Sequence, residues 1–120
     1  SIPNLVVTVG KEYIASRMVG VADDVMSHMG IGTGTGTPDP TDTALGTPSG
    51  SRVTLDSFDA SGNQVTATAT FPSGTGTGAI TEAGIFNDST SGTMLCRTTF
   101  PVVTKGAGDS IAITWTITVS

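Results

Sequence analysis

One cysteine, one histidine, one tryptophan and a 12% share of charged residues are all that this 120-residue chain has of the side chains that usually do chemistry. Each shortage excludes something. Cys96 alone cannot close an intrachain disulfide. One His and one Cys cannot furnish a zinc site, so neither a metal nor another cofactor is expected. A nucleophile–base pair would need His28, which sits in MSHMG with no motif attached and reads as a packing or hydrogen-bonding residue. The basic residues Lys11, Arg17, Arg52, Arg97 and Lys105 are scattered, the net charge is −5 and the pI is near 4.3. Phosphate backbones need clustered Lys and Arg, so nucleic acid is excluded as a partner. No run approaches the roughly 18 apolar residues of a membrane span, and the N-terminus lacks signal-peptide regions. The initial Ser fits a complete small protein that lost its initiator Met in a cytoplasm and has no export route.

What is present is β pattern. In SIAITWTITV (110–119), Ile111, Ile113, Trp115, Ile117 and Val119 alternate with Ala112, Thr114, Thr116 and Thr118. Strict period two places the apolar set on one face of a strand. Trp115 is the expected centre of the core, because one indole buries roughly 150–250 Å². Val65, Ala67, Ala69 and Phe71 alternate with threonines in the same way.

Taken in order, Ile2–Val9 reads as an edge strand or arm, and 11–19 as one short helix with Tyr13, Ile14, Arg17 and Met18 on a stripe and Gly20 as its stop. A turn at 22–24 precedes a strand over 25–32. Residues 32–50 (GTGTGTPDPTDTALGTPSG) are Gly-, Thr- and Pro-rich and predict either a solvated loop or an arm that orders on a neighbour. Further strands are expected at 52–58, 64–71, 79–86 and 93–100, with DASGN as a hairpin loop between the first two. Placing Phe86 opposite Thr93 sets Glu82 directly opposite Arg97, Gly84 opposite Leu95 and Ile80 opposite Thr99. The whole predicts one all-β domain over 1–120: an antiparallel β-sandwich or jelly-roll-like barrel of about seven strands with one short N-terminal helix.

No catalytic set emerges, and an enzyme is not expected. Asp23 and Asp24 are adjacent and diverge; Asp56 and Asp59 flank a hairpin and serve its turn. Cys96 alternates with Met94 and Thr98 and reads as a small buried hydrophobe. GIGTGTG (30–36) and GTGTG (74–78) lack the Lys and helix of a phosphate loop, so their glycines read as permitting turns or close backbone approach. PDPTDT (38–43) lacks the alternating oxygen ligands of a calcium loop.

The order of motifs says more. GIGTGT near residue 30, DTALGT (42–47) followed by Arg52, TATFPSGTGTGAITEAGIFND (68–88) and SGTMLCRTTFPVVTKGAGDSIAITWTITV (91–119) together resemble a family of tailed-bacteriophage virion proteins, over residues 29–119. TEAGIF-type modules also occur in phage tail fibres and collars, but no shaft-like segment accompanies this one. The resemblance implies a small capsid cement or decoration protein, located on the virion surface and made in the bacterial host. It implies the major capsid protein as partner and a homotrimer as the assembled form. The alternative is a tail-associated or tail-fibre receptor-binding module. The family carries no catalytic residues. The expected partner-binding residues lie in the two arms: Ile2, Leu5 and Val7, then Thr35, Pro38, Pro40 and Leu45. Glu82 and Arg97 are the expected structural pair of the hairpin.

Overall fold

The computed structural model describes residues 4–20 and 24–118. Ile2, Val119, most of the 22–24 turn and the side chain of Leu5 lie outside the described residues. Along the chain run β1 (Asn4–Val6), α1 (Thr8–Met18), β2 (His28–Gly32), β3 (Val53–Thr54), β4 (Ser57–Ser61), β5 (Gln64–Phe71), β6 (Gly78–Phe86), β7 (Met94–Lys105) and β8 (Ile111–Thr118). They build two antiparallel sheets, ordered β1-β7-β6-β2-β3 and β4-β5-β8. The two sheets remain separate, so the architecture is the expected β-sandwich and not a closed barrel.

Period-two alternation fills the space between the layers. Ala67, Ala69, Phe71, Trp115 and Ile117 from the smaller sheet meet Met29, Ile31, Ile80, Ala83, Ile85 and Cys96 from the larger one, all buried. Each large aliphatic or aromatic side chain so buried contributes roughly 1.5–3 kcal/mol. The threonines of β8 face outward, as its sequence predicts.

The chain departs from expectation at four places, each for a local reason. The first is the N-terminal segment, where the strand ends at Val6 and the helix already begins at Thr8. The Thr8 N–H donates to the Pro40 carbonyl at 2.7 Å, which satisfies a free donor of the first turn. Gly10, between the expected strand and the expected helix, therefore belongs to α1. It lies inside the helix against β7, where a Cβ would come 2.1 Å from the Leu95 carbonyl oxygen. Gly20, at φ +80°, does end the helix, and its N–H donates to the Arg17 carbonyl.

Second, the strand expected over 52–58 is two strands. β3 pairs with β2 in one sheet and β4 with β5 in the other, so the chain crosses between layers at Leu55 and Asp56. Third, the DASGN loop shrinks to the two-residue turn Gly62–Asn63, with Gly62 at φ +61° and Ser61 paired to Gln64. Asp59 thus lies within β4, opposite Thr66, and does not serve the turn.

Fourth, β7 continues through Pro101 to Lys105, and its register differs from the expected one. Ile80 pairs with Val103 but Glu82 with Thr99, so Phe100–Val102 bulge out opposite Thr81. Pro101 sits in that bulge, where its missing N–H breaks no ladder bond. A second irregularity at Ile85/Phe86 sets Phe86 opposite Met94, and Gly84 opposite Arg97. Glu82 and Arg97 are consequently not direct partners; the expected pairing is off by two residues.

Candidate functional site

The shift by two at Glu82 leaves Glu82 and Arg97 on one face as predicted, because facing changes only with odd shifts. Glu82 and Arg97 are therefore diagonal neighbours on the outer face of the larger sheet. Long side chains span that diagonal. Arg97 Nε donates to Glu82 Oε1 at 3.0 Å, and Arg97 Nη1 donates to Asp42 Oδ2 at 3.1 Å. Glu82 is fully buried and Arg97 nearly so.

The cover over this pair is the Gly- and Pro-rich segment of the chain itself. The N–H groups of Gly34 and Thr47 donate to Glu82 Oε2, and that of Gly46 to Oε1, each at 2.8 Å. One carboxylate thus gathers three main-chain donors and one guanidinium. Burial by itself would raise the Glu82 pKa. The N–H groups of Thr47, Gly46 and Gly34, joined by Arg97, outweigh it and hold the carboxyl below its usual range. Gly32 and Gly34 make the approach possible, since a Cβ on either would stand 2.5 Å or 2.4 Å from Glu82 Oε2. The glycine run singled out in the sequence permits close backbone approach to a carboxylate.

Beside this centre a second apolar cluster forms from Val7, Leu45, Phe86 and Met94. Facing glycines, Gly30 and Gly84, provide its flat floor. Two of the residues expected to bind a partner, Val7 and Leu45, are therefore consumed inside the domain, with Val7 at 0% and Leu45 at 7% exposure. They anchor the arms on their own sheet. The Leu5 backbone pairs with Arg97 in the β1–β7 ladder. Thr35 and Pro40 are exposed and Pro38 is half-buried, so the tip of the 33–50 arm does face outward. The carboxylates of PDPTDT stiffen that tip. Asp39 accepts from the Thr41 hydroxyl and N–H, which lower its pKa, and Asp42 accepts from the Asp39 N–H.

The other singled-out residues have local partners. His28 Nδ1 lies 2.7 Å from Ser27 Oγ, and Asp56 accepts from the Thr70 hydroxyl. Cys96 is buried, and burial pushes its thiol pKa well up, which leaves it unreactive. Among the described residues no group of three or more His, Cys, Asp or Glu side chains converges on a point. Nor is any helix long and apolar enough to cross a membrane.

Three features escape the sequence reading. Lys105 is fully buried and its Nζ donates to the carbonyls of Pro72 and Asp109, which ties two end loops together. Arg52 lies over the Phe86 ring, with Cζ 3.5 Å from its centroid, and its Nη1 donates to the carbonyls of Asp88 and Ser91. The available signal was position: Arg52 is the only Lys or Arg between Arg17 and Arg97.

The third is an open flank. Among the described residues β8 borders only β5, and β1 covers β7 only from Cys96 to Thr98. Between these free edges lies an apolar trough of about 430 Å³, lined by Phe100, Val103 and Ile111–Thr114. Val102 and Val103 stand exposed beside it at 59% and 43%. Neither 98–104 nor 111–118 contains a charged residue. Two adjacent-looking uncharged strands were the signal for it.

No protein-family profile matches the chain. No curated protein sequence matches it either.

Proposed function

We propose that this chain is a non-enzymatic structural protein of a tailed-phage virion, a cement or decoration protein that binds the major capsid protein as a homotrimer. The resemblance of its motif order to virion proteins suggests the class. The observation that carries the interaction is the open flank. Edge strands are ordinarily protected by Lys, Pro or bulges, yet β8 has none, and its register with β5 runs unbroken from Gln64↔Thr118 to Phe71↔Ile111. An uncharged edge suits burial against a neighbour because no ion has to be desolvated. The exposed arm tip at Thr35 and Pro40 offers a second contact, while Val7 and Leu45 serve only to hold the arms. Binding of this kind stabilises the assembled shell by mass action, with no chemistry required.

The test is co-sedimentation of the purified protein with empty capsids and, separately, with tails of the same phage. Capsid binding at fixed stoichiometry, a raised capsid melting temperature, and loss of both in Val102→Glu and Thr114→Lys are the expected results. Bare capsids alongside decorated tails would sink the cement reading in favour of a tail-associated receptor-binding module. A half-enclosed cleft beside Arg52 is the one feature that favours that alternative.

A further inference from the structure

The Arg52 guanidinium is short of counter-charge. The ion pairs among the described residues are both made by Arg97, and no carboxylate of a described residue lies within pairing distance of Arg52. Stacking on Phe86 fixes the plane of the guanidinium, and the Asp88 and Ser91 carbonyls, at 3.0 Å and 2.6 Å, occupy Nη1. Its Nε–H and Nη2–H groups have no partner among the described residues. Those two groups form the parallel pair that fits both oxygens of a carboxylate. Burial lowers the Arg52 pKa against a weaker opposing pull from Asp88, as expected of a cation lacking a close anion.

Arg52 and Phe86 line a half-enclosed cleft of about 370 Å³. That size falls in the roughly 300–1,000 Å³ range of small-ligand sites. The wall supplied by the 33–50 arm is apolar at Leu45 and Pro48, and the wall supplied by the β6–β7 connection carries the hydroxyls of Ser89, Thr90 and Ser91. An apolar wall, a hydroxyl wall and a preset guanidinium match a ring with C–H faces, hydroxyl edges and one carboxylate. We propose that this cleft binds a carboxylate-bearing sugar ring, gripped through Arg52. The inference does not depend on whether the protein sits on capsid or tail. The cleft opens over β2 and β6, on strands other than those of the uncharged flank.

The experiment is a ¹H–¹⁵N titration of the full chain with sodium glucuronate, with glucose and sodium acetate as separate arms. Saturating shifts with glucuronate at residues 44–52 and 86–91 are expected, with glucose and acetate at least tenfold weaker. Arg52→Gln should weaken glucuronate at least tenfold. Because Arg52 also holds the β6–β7 connection, Ala44→Phe provides a second variant: it narrows the cleft without touching the guanidinium, and should abolish binding while leaving the melting temperature near wild type. No saturating shifts, equal binding of glucose or of acetate, or undiminished binding by Ala44→Phe would each overturn the proposal.

Discussion

Glu82 and Arg97 are bonded at 3.0 Å across a ladder in which neither is the other's partner; Glu82 pairs with Thr99 and Arg97 with Gly84. The diagonal leaves room for the three N–H donors that descend on the carboxylate from the arm. It joins sheet, arm and hairpin at one buried point.

The first expectation is that this pair stabilises far more than a surface ion pair does. An exposed pair is worth ~0.2–1 kcal/mol, whereas removing one partner of a buried one costs roughly 3–5 kcal/mol. Glu82→Ala and Arg97→Ala should both fall in the higher range, because each strands polar groups away from water. In a double-mutant cycle by urea unfolding, the two losses should be strongly non-additive. Additive losses would mean that the bond does not hold the fold.

Acid should act through the same carboxylate. The folded pKa of Glu82 is depressed, so the unfolded chain binds more protons than the folded one as the pH falls. Stability from this group is complete above the unfolded value, about 4.3, and is lost as pH drops through the lower folded value. The urea midpoint should therefore be steady from pH 7 to about 5 and decline below. Glu82→Gln, already weaker at pH 7, should show a shallower acid decline. An acid limb of unchanged steepness in that variant would assign the loss to the other carboxylates.

The glycines around the carboxylate make a sharper test. A Cβ at Gly34 would press on Glu82 from 2.4 Å, and the four bonds on that carboxylate keep it from swinging aside. Gly34→Ala should destabilise by roughly 1–3 kcal/mol, the usual range for overpacking. Gly36→Ala, with nothing within 4 Å, should be near neutral. In a Glu82→Ala background the Gly34→Ala loss should shrink. Equal losses in both backgrounds would move the cause from the carboxylate to the backbone.

Much of this architecture was legible in the residues, and what was not has a physical cause. The alternation in β5 and β8 carries its facing in every second residue, so both strands and the core role of Trp115 could be read directly. Glu82 and Arg97 could be placed on one face because an error of two in register leaves facing intact. The register itself depends on two irregularities, and neither Pro101 nor the connection between Phe86 and Met94 specifies where an extra residue is absorbed. The fate of the 33–50 arm was hidden for a different reason. Its glycines have no side chains to show a pattern, and its attachment to Glu82 runs through main-chain N–H groups that every residue except proline has. Leu45 looked available for a partner because an isolated apolar residue in a polar segment gives no sign of which surface it covers, and Val7 because an apolar run at an edge does not say whether its own domain or a neighbour buries it.

Trp115 carries a donor that the fold leaves unused: its Nε1 is buried without a hydrogen-bond partner. An unsatisfied buried donor costs about 1–3 kcal/mol. Trp115→Phe removes that donor and leaves roughly 40 Å³ unfilled, which at ~24 cal/mol per Å³ costs about 1 kcal/mol. The two effects oppose each other, and the relieved penalty is equal or larger, so the substitution should fall between neutral and about 2 kcal/mol stabilising. Trp115→Ala, by contrast, should lose roughly 3–5 kcal/mol, as large aromatic truncations do. Because this is the chain's only Trp, unfolding has to be followed by far-UV circular dichroism and not by indole fluorescence. A loss of 3 kcal/mol in Trp115→Phe would show that Nε1 is satisfied in solution, with a buried water as the simplest partner.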